Sequence, residues 1–203
     1  MDRAIQVRRG VRLEWITIAY NCLEAAIALA AGIMAGSVAL VGFGFDSVIE
    51  VSSGVALVWR LHSDSERAER TALRVVGICF LVLAAYVSYE AGESLLLREA
   101  PRRTLSGIAL AVASIVVMPV LSRAKRKVAA RIGSAAMTAD SQQTQLCAYL
   151  SVILLAGLVM NAALGWWWAD PVAALAMVPL IAKEGVDAVR GKTCCAACHP
   201  NMV

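Results

Sequence analysis

Six long runs of apolar residues follow one another along the chain, and short polar segments separate them. A helix needs about 20 residues to cross roughly 30 Å of bilayer hydrocarbon, and each run is long enough. The runs are centred near Ala25, Ser47, Leu83, Val112, Leu154 and Val178. The pattern predicts an all-α membrane protein, a six-transmembrane-helix bundle over residues 1–192, followed by a short Cys/His-rich tail over 193–203.

Composition agrees with a multi-pass integral membrane protein of a plasma or inner membrane. Hydrophobic residues make up 60% of the chain and charged residues 17%, against about 25% charged in ordinary soluble domains. The six runs and their connectors leave no room for a separate soluble domain. The first run contains Glu14 and Glu24 and lacks a small-residue cleavage site, so we expect it to remain as a helix rather than to be removed as a signal peptide.

The distribution of basic residues predicts the orientation of the bundle. All but three of the 19 Lys and Arg residues fall at the termini or in the second and fourth connectors, which share one side of the membrane. Basic residues favour the cytoplasmic side, so both termini are predicted to be cytoplasmic. The net charge of +4 therefore reflects topology, and no nucleic-acid partner is expected.

Two acidic residues interrupt the second apolar run. Each charged side chain at the centre of a bilayer costs about 2.5–3.5 kcal/mol on insertion scales, so Asp46 and Glu50 are not expected there without a functional reason. Their spacing of four residues places both carboxylates on one face of a helix. Converging oxygen ligands at that depth are what a hard or borderline divalent cation requires, whereas a purely structural membrane protein would have no use for this pair.

A second pair with the same spacing, Gln143 and Cys147, lies in the fifth run. Taken alone, Gln143 is typical of hydrogen bonding between helices and Cys147 of a small buried hydrophobe. Two facing helices with one pair each, however, would supply the four ligands usual for zinc. Nearby, Asp140 fits a solvated cap or loop contact about as well as metal binding. A further polar cluster in the first run contains Tyr20, Asn21 and Glu24.

Three segments carry a resemblance to a known family. GSVALVGFGFDSVIE resembles the second transmembrane helix of cation diffusion facilitators, ADSQQTQLCAYLS the fifth, and WADPVAALAMVPLIAKEGVDAVRG the sixth. The resemblance covers about residues 10–192 and includes Asn21, which is similar to a frequent asparagine of the first helix. It implies a proton-coupled exporter of zinc and related divalent cations, usually a homodimer of six-helix subunits.

The resemblance also implies a ligand set. The family's transport site takes two acidic residues from the second helix, where Asp46 and Glu50 fall, and a His and an Asp from the fifth. Gln143 stands where His or Asp is usual, and Cys147 stands where Asp is usual. A neutral amide and a soft thiol favour zinc or cadmium over manganese or magnesium. The family's second metal site, after helix two, is not evident, and its large cytoplasmic domain after helix six is expected to be missing.

The C-terminal tail offers a second candidate site. Cys194, Cys195, Cys198 and His199 form a chemically sensible Cys₃His set for zinc, which could gather cations at the entrance. The same residues contain C-x-x-C-H, the attachment signature of c-type haem. A cytoplasmic tail disfavours both haem attachment and a disulfide, while unligated cysteines remain an alternative.

These observations predict a divalent heavy-metal cation transporter, zinc-like in preference, working by proton-coupled efflux and alternating access. Metal ion, protons and the lipid bilayer would be its partners. A non-transporting membrane metal sensor or regulatory subunit is the alternative, because such a protein would also accommodate Gln143 and Cys147. The chain lacks a hydrolase triad and a phosphate-binding glycine loop, so neither enzyme activity nor an organic cofactor is expected.

Overall fold

The computed structural model describes residues 2–62 and 66–190, and within them it confirms the six predicted helices. All the regular structure in these ranges is helical. The helices are α1 (Asp2–Ala35), α2 (Val38–His62), α3 (Glu66–Leu97), α4 (Leu105–Ile132), α5 (Ala135–Leu164) and α6 (Ala169–Val189).

Five of these helices, α1 to α5, contain spans long and apolar enough to cross a membrane. Helix α6 is shorter and carries four charged residues, and it packs along α3 and α5 as the sixth member of the bundle. Large apolar side chains cover the outside, among them Leu23, Leu105 and Val116, each more than half exposed. Such a surface suits lipid rather than water, so the chain is a multi-pass integral membrane protein. The orientation of its termini stays a prediction.

Local sequence signals set several helix ends. Gly36, Gly133 and Gly165 follow α1, α4 and α5 with φ of 65°, 66° and 66°, a left-handed conformation that glycine adopts without a steric penalty. The hydroxyl of Thr104 accepts a hydrogen bond from a backbone N–H in the first turn of α4, and the hydroxyl of Ser134 accepts one from a backbone N–H in the first turn of α5. These caps satisfy backbone N–H groups that the helices themselves leave unpaired.

Helix α2 lies at the centre of the bundle, in contact with α1, α3, α5 and α6. Its first turn is held by Asp170 of α6, a buried residue. Asp170 Oδ1 accepts a 2.5 Å hydrogen bond from Ser37 Oγ, and its Oδ2 accepts one of 3.3 Å from the backbone nitrogen of Ala39. A carboxylate at a helix N-terminus is favoured by the helix dipole, so this contact fixes where α2 begins relative to α6.

The predicted tail site lies outside the described residues. Cys194, Cys195, Cys198 and His199, together with the C-x-x-C-H signature, therefore stay predictions.

Candidate metal centre

The acidic pair of α2 faces the interior of the bundle. Asp46 and Glu50 are only 3% and 2% exposed, and the two carboxylates lie on the same side of the helix, as their spacing predicts. The neighbouring Ser47 and Ser53 also point inward, towards α1 and α5 respectively. Four polar side chains within two turns thus form a hydrophilic stripe along an otherwise apolar helix.

Helix α5 brings a sulfur atom to this stripe. Cys147 is 1% exposed, and one ligand atom each from Asp46, Glu50 and Cys147 lie within 4.8 Å of one another. Around a tetrahedral zinc ion with bonds of about 2.0–2.3 Å, neighbouring donors are about 3.3–3.8 Å apart. A contraction of about one ångström, within the reach of side-chain rotations, would therefore let these three groups hold one metal ion.

The fourth predicted ligand, Gln143, has a different partner in this structure. It lies one helical turn before Cys147 at the contact between α2 and α5, and its Oε1 accepts a 2.9 Å hydrogen bond from Ser53 Oγ. Its amide nitrogen is buried and has no hydrogen-bond partner among the described residues. If the amide group were rotated by 180°, its nitrogen would donate a hydrogen bond to Ser53 Oγ and its carbonyl oxygen would be free to bind a metal ion. A ligand role for Gln143 therefore stays a prediction.

Glu24 of α1 is a site residue that sequence reasoning noticed but did not assign. It is 1% exposed, and its carboxylate accepts hydrogen bonds from Ser47 Oγ of α2 at 2.9 Å and from Ser114 Oγ of α4. The thiol of Cys147 also donates to it, at 3.8 Å. Glu24 therefore joins four helices at the candidate metal centre, which we define as Asp46, Glu50, Cys147 and Glu24.

The electrostatics of this centre favour a cation. Three carboxyl groups, those of Glu24, Asp46 and Glu50, surround one thiol, and within the described part of the chain none of them forms an ion pair. The oxygens of Glu50 form no hydrogen bond of ordinary length there, although the hydroxyl of Thr144 and the thiol of Cys147 lie nearby and Lys125 acts on Glu50 from a longer distance. Buried carboxylates without a counter-charge are costly, and either protons or a metal ion can remove that cost.

A second polar network lies nearer the end of the bundle at which α1 and α5 begin. The ammonium of Lys125, in α4, contacts Glu14 of α1 at 3.0 Å and Asp140 of α5 at 2.5 Å, and it donates to Thr144 at 3.2 Å. Lys125 and Glu14 are 0% exposed and Asp140 is 5% exposed. We call these four residues the Lys125 network.

The network corrects two expectations. The interpretation of Asp140 as a solvated cap or loop contact is wrong, because its carboxylate is buried and paired with an ammonium. The sequence pattern places Lys125 among the basic residues of the fourth connector, but in the structure this residue lies inside the bundle. Its sequence neighbours Arg123, Arg126 and Lys127 are at the surface, and they conceal the buried residue in the sequence pattern.

Carboxyl groups and a thiol that converge in the interior of a membrane-helix bundle are typical of a class of membrane proteins that act on ions or protons. The particular family follows from comparison. Residues 15–192 match the cation efflux transmembrane domain, and the chain belongs to that family. The resemblance noted from the sequence is thereby confirmed.

Several bacterial proteins are similar to this chain in sequence. The chain is 28% identical over 158 residues to an uncharacterized transporter of Synechocystis sp., covering 72% of this chain and 51% of that protein. It is 24% identical over 198 residues to the manganese efflux system protein MneS of Bacillus subtilis, covering 92% and 68%. Over 113 residues it is 27% identical to the cation-efflux pump FieF of Shewanella oneidensis, covering 56% and 36%. The chain spans about half the length of the Synechocystis relative.

Proposed function

We propose that this protein is a divalent-cation transporter that exports zinc or a related metal ion in exchange for protons, as a homodimer in a plasma or inner membrane. The observation that carries the proposal is the convergence of Asp46, Glu50 and Cys147 from two helices at a buried point. Two relatives, a manganese efflux system protein and a cation-efflux pump, support the same class of activity.

Proton exchange follows from the chemistry of the centre. Carboxylates and a thiol bind a metal ion only in their deprotonated forms, so metal binding releases protons and protonation releases the metal. An exchanger needs a site that binds either the metal ion or protons, but not both at the same time. If the centre is open to one side of the membrane at a time, alternation between metal and protons moves them in opposite directions.

Helices α2 and α5 are the elements that would move. They carry all the donor atoms taken from the sequence prediction, whereas α6 packs closely on both α3 and α5. A Cβ atom on Gly77 of α3 would lie 2.8 Å from the backbone oxygen of Gly185 in α6, and one on Gly157 of α5 would lie 2.6 Å from Cβ of Ala173 in α6. Because α6 also holds the start of α2 through Asp170, we propose that α2 and α5 tilt about their contacts with α6.

The test is metal flux through purified protein in proteoliposomes. Asp46→Asn keeps the size of the side chain but removes its negative charge and its proton-exchanging group, leaving a weaker neutral oxygen donor, and we expect it to abolish zinc uptake and the accompanying proton release. Glu93→Gln, at an exposed position of α3, is the matched control and should transport at the wild-type rate. Wild-type flux in Asp46→Asn would exclude Asp46 from the transport route.

One observation favours the alternative of a non-transporting metal sensor. Gln143 is neutral, and its carbonyl oxygen already accepts a hydrogen bond from Ser53, so the centre has one fewer free donor than a four-ligand site. A sensor would bind metal in detergent and release protons while showing no flux in proteoliposomes. Binding and flux measured on the same preparation therefore separate the two functions.

A further inference from the structure

Asn21 of α1 is a buried amide without any hydrogen-bond partner among the described residues. Its side chain is 0% exposed, and neither Oδ1 nor Nδ2 forms a hydrogen bond there. An unpaired buried amide destabilises a folded protein, and apolar residues of similar size would pack at that position without this penalty. A ligand bound at this level would give the amide the partner that the protein itself does not supply within the described residues.

The packing of α1 against α2 places Asn21 level with Glu50. The two helices run antiparallel: Glu24 bonds to Ser47, and Ile18 lies where a Cβ atom on Gly54 would meet it at 3.0 Å. Asn21 lies midway between Ile18 and Glu24, as Glu50 lies between Ser47 and Gly54. It also belongs to the buried stripe of α1 that includes Glu24 and faces the bundle interior.

At this level the amide of Asn21 has no partner within the described ranges, and the carboxylate of Glu50 forms no hydrogen bond of ordinary length, although Thr144 and Cys147 lie near it. A hydrogen bond between them would satisfy both, but none is present. A cation between them would satisfy the carboxylate and the amide oxygen together, because both are ligands for hard and borderline divalent ions.

We propose that Asn21 is a ligand of the transported cation, so that three helices rather than two build the site. This inference rests on the proposed function and narrows its substrate class. Oxygens from Asp46, Glu50 and Asn21 with the sulfur of Cys147 already complete the four ligands of zinc, and Glu24 and Gln143 lie next to them. A site with that many donors, mostly oxygen, suits a six-coordinate ion such as Mn²⁺ better than tetrahedral Zn²⁺.

The experiment compares the Mn²⁺ and Zn²⁺ affinities of the whole chain in detergent by titration calorimetry. Every cysteine except Cys147 is replaced by serine, so that the thiols of the tail do not bind the added metal. Asn21→Leu removes the amide at nearly constant volume, and we expect the Mn²⁺ dissociation constant to rise by about tenfold or more, since loss of even an indirect metal partner costs about 10–100-fold. The Zn²⁺ constant should change less, because zinc needs only four ligands and the neighbouring Glu24 or Gln143 can take the place of the lost amide. Thr17→Val is the matched control: Thr17 is buried on the same stripe and bonds to the backbone of Leu13, so both constants should stay at wild type.

A second variant separates ligation from packing. Asn21→Asp retains an oxygen in the same place and adds charge, so it should bind Mn²⁺ at least as tightly as wild type. In the background that retains Cys147 as its one cysteine, the absorption band of a Cd²⁺–thiolate bond reports whether Cys147 still binds metal in each variant, and it should persist in Asn21→Leu. Weaker Mn²⁺ binding in Asn21→Asp, or Mn²⁺ binding in Asn21→Leu equal to wild type, would overturn the role of Asn21.

A different result would contradict the proposed transport function as a whole. If Asp46→Asn binds both ions as wild type does, the site itself is misplaced and the assignment of Asn21 falls with it. If Asp46→Asn loses metal binding while Asn21→Leu retains it, the proposed site is supported and only the contribution of α1 to that site is refuted.

Discussion

Replacing Lys125 by methionine is the substitution for which the structure predicts the largest loss of stability. The ammonium contacts Glu14 at 3.0 Å and Asp140 at 2.5 Å, and the three side chains are almost fully buried. At an effective dielectric constant of about 20, each contact has a Coulomb energy of about 5–7 kcal/mol. Desolvation offsets most of that attraction while the network is complete, but it becomes a net cost when one partner is removed.

The expected magnitude follows from this imbalance. Methionine fills similar space but leaves two buried carboxylates facing each other without a cation. Removing one partner of a buried ion pair costs about 3–5 kcal/mol, so Lys125→Met should lower the free energy of unfolding by that amount. The triple variant that adds Glu14→Gln and Asp140→Asn removes both negative charges, and we expect it to recover most of the loss.

Unfolding of the detergent-solubilised protein by SDS, followed by circular dichroism, measures these differences. Lys127→Met, an exposed lysine two residues further along α4, is the matched control and should stay within about 0.5 kcal/mol of wild type. A loss below about 1 kcal/mol for Lys125→Met would be typical of a solvated ion pair and would refute the reasoning. Equal losses in the single and triple variants would show that packing, rather than charge, determines the cost.

Two further substitutions test the centre and the support of α2. Cys147→Asp exchanges a soft donor for a hard one, so the ratio of cadmium flux to manganese flux in proteoliposomes should fall. An unchanged ratio would exclude the sulfur of Cys147 as a ligand. Cys22→Ser, at an exposed cysteine, is the control. Asp170→Asn weakens two hydrogen bonds at the start of α2, and SDS unfolding should show a loss of about 1.5–3 kcal/mol, whereas the exposed control Glu99→Gln should show none.

Most of the fold could be predicted from the sequence because a bilayer permits few backbone conformations. With no water to bond to, backbone N–H and C=O groups must pair within each segment, so an apolar run of sufficient length becomes a helix. Gly133 followed by Ser134 also marks the end of one helix and the start of the next. Helix lengths were less predictable: α1 extends over Asp2–Ala35, well beyond the apolar run, because a helix can continue into its charged flank.

The candidate site could be predicted only in part. Asp46 and Glu50 are conspicuous because two acids within one apolar run rarely occur without a functional role, and Cys147 followed from the matching spacing. Glu24 could not be assigned in the same way, since its partners Ser47 and Ser114 lie on other helices and depend on how those helices are rotated. Residue spacing describes one helix at a time, whereas a site between helices is determined by their packing.

The two polar networks share helices α1 and α5 but differ in how their charge is balanced. Glu14 and Glu24 are ten residues apart, which is about 15 Å along α1, whereas Thr144 and Cys147 are less than one turn apart on α5, so the networks form adjacent layers that meet at α5. In one layer the ammonium of Lys125 is covalently part of the protein, and it neutralises its carboxylates in a fixed arrangement. In the other layer the described residues supply three carboxyl groups and a thiol without an ion-pair partner. A layer whose carboxylates are neutralised by a lysine of the protein itself has no place for a metal ion, whereas a layer without such a lysine can bind a metal ion and release it. This difference favours the centre around Asp46 and Glu50, rather than the Lys125 network, as the place where a transported ion binds.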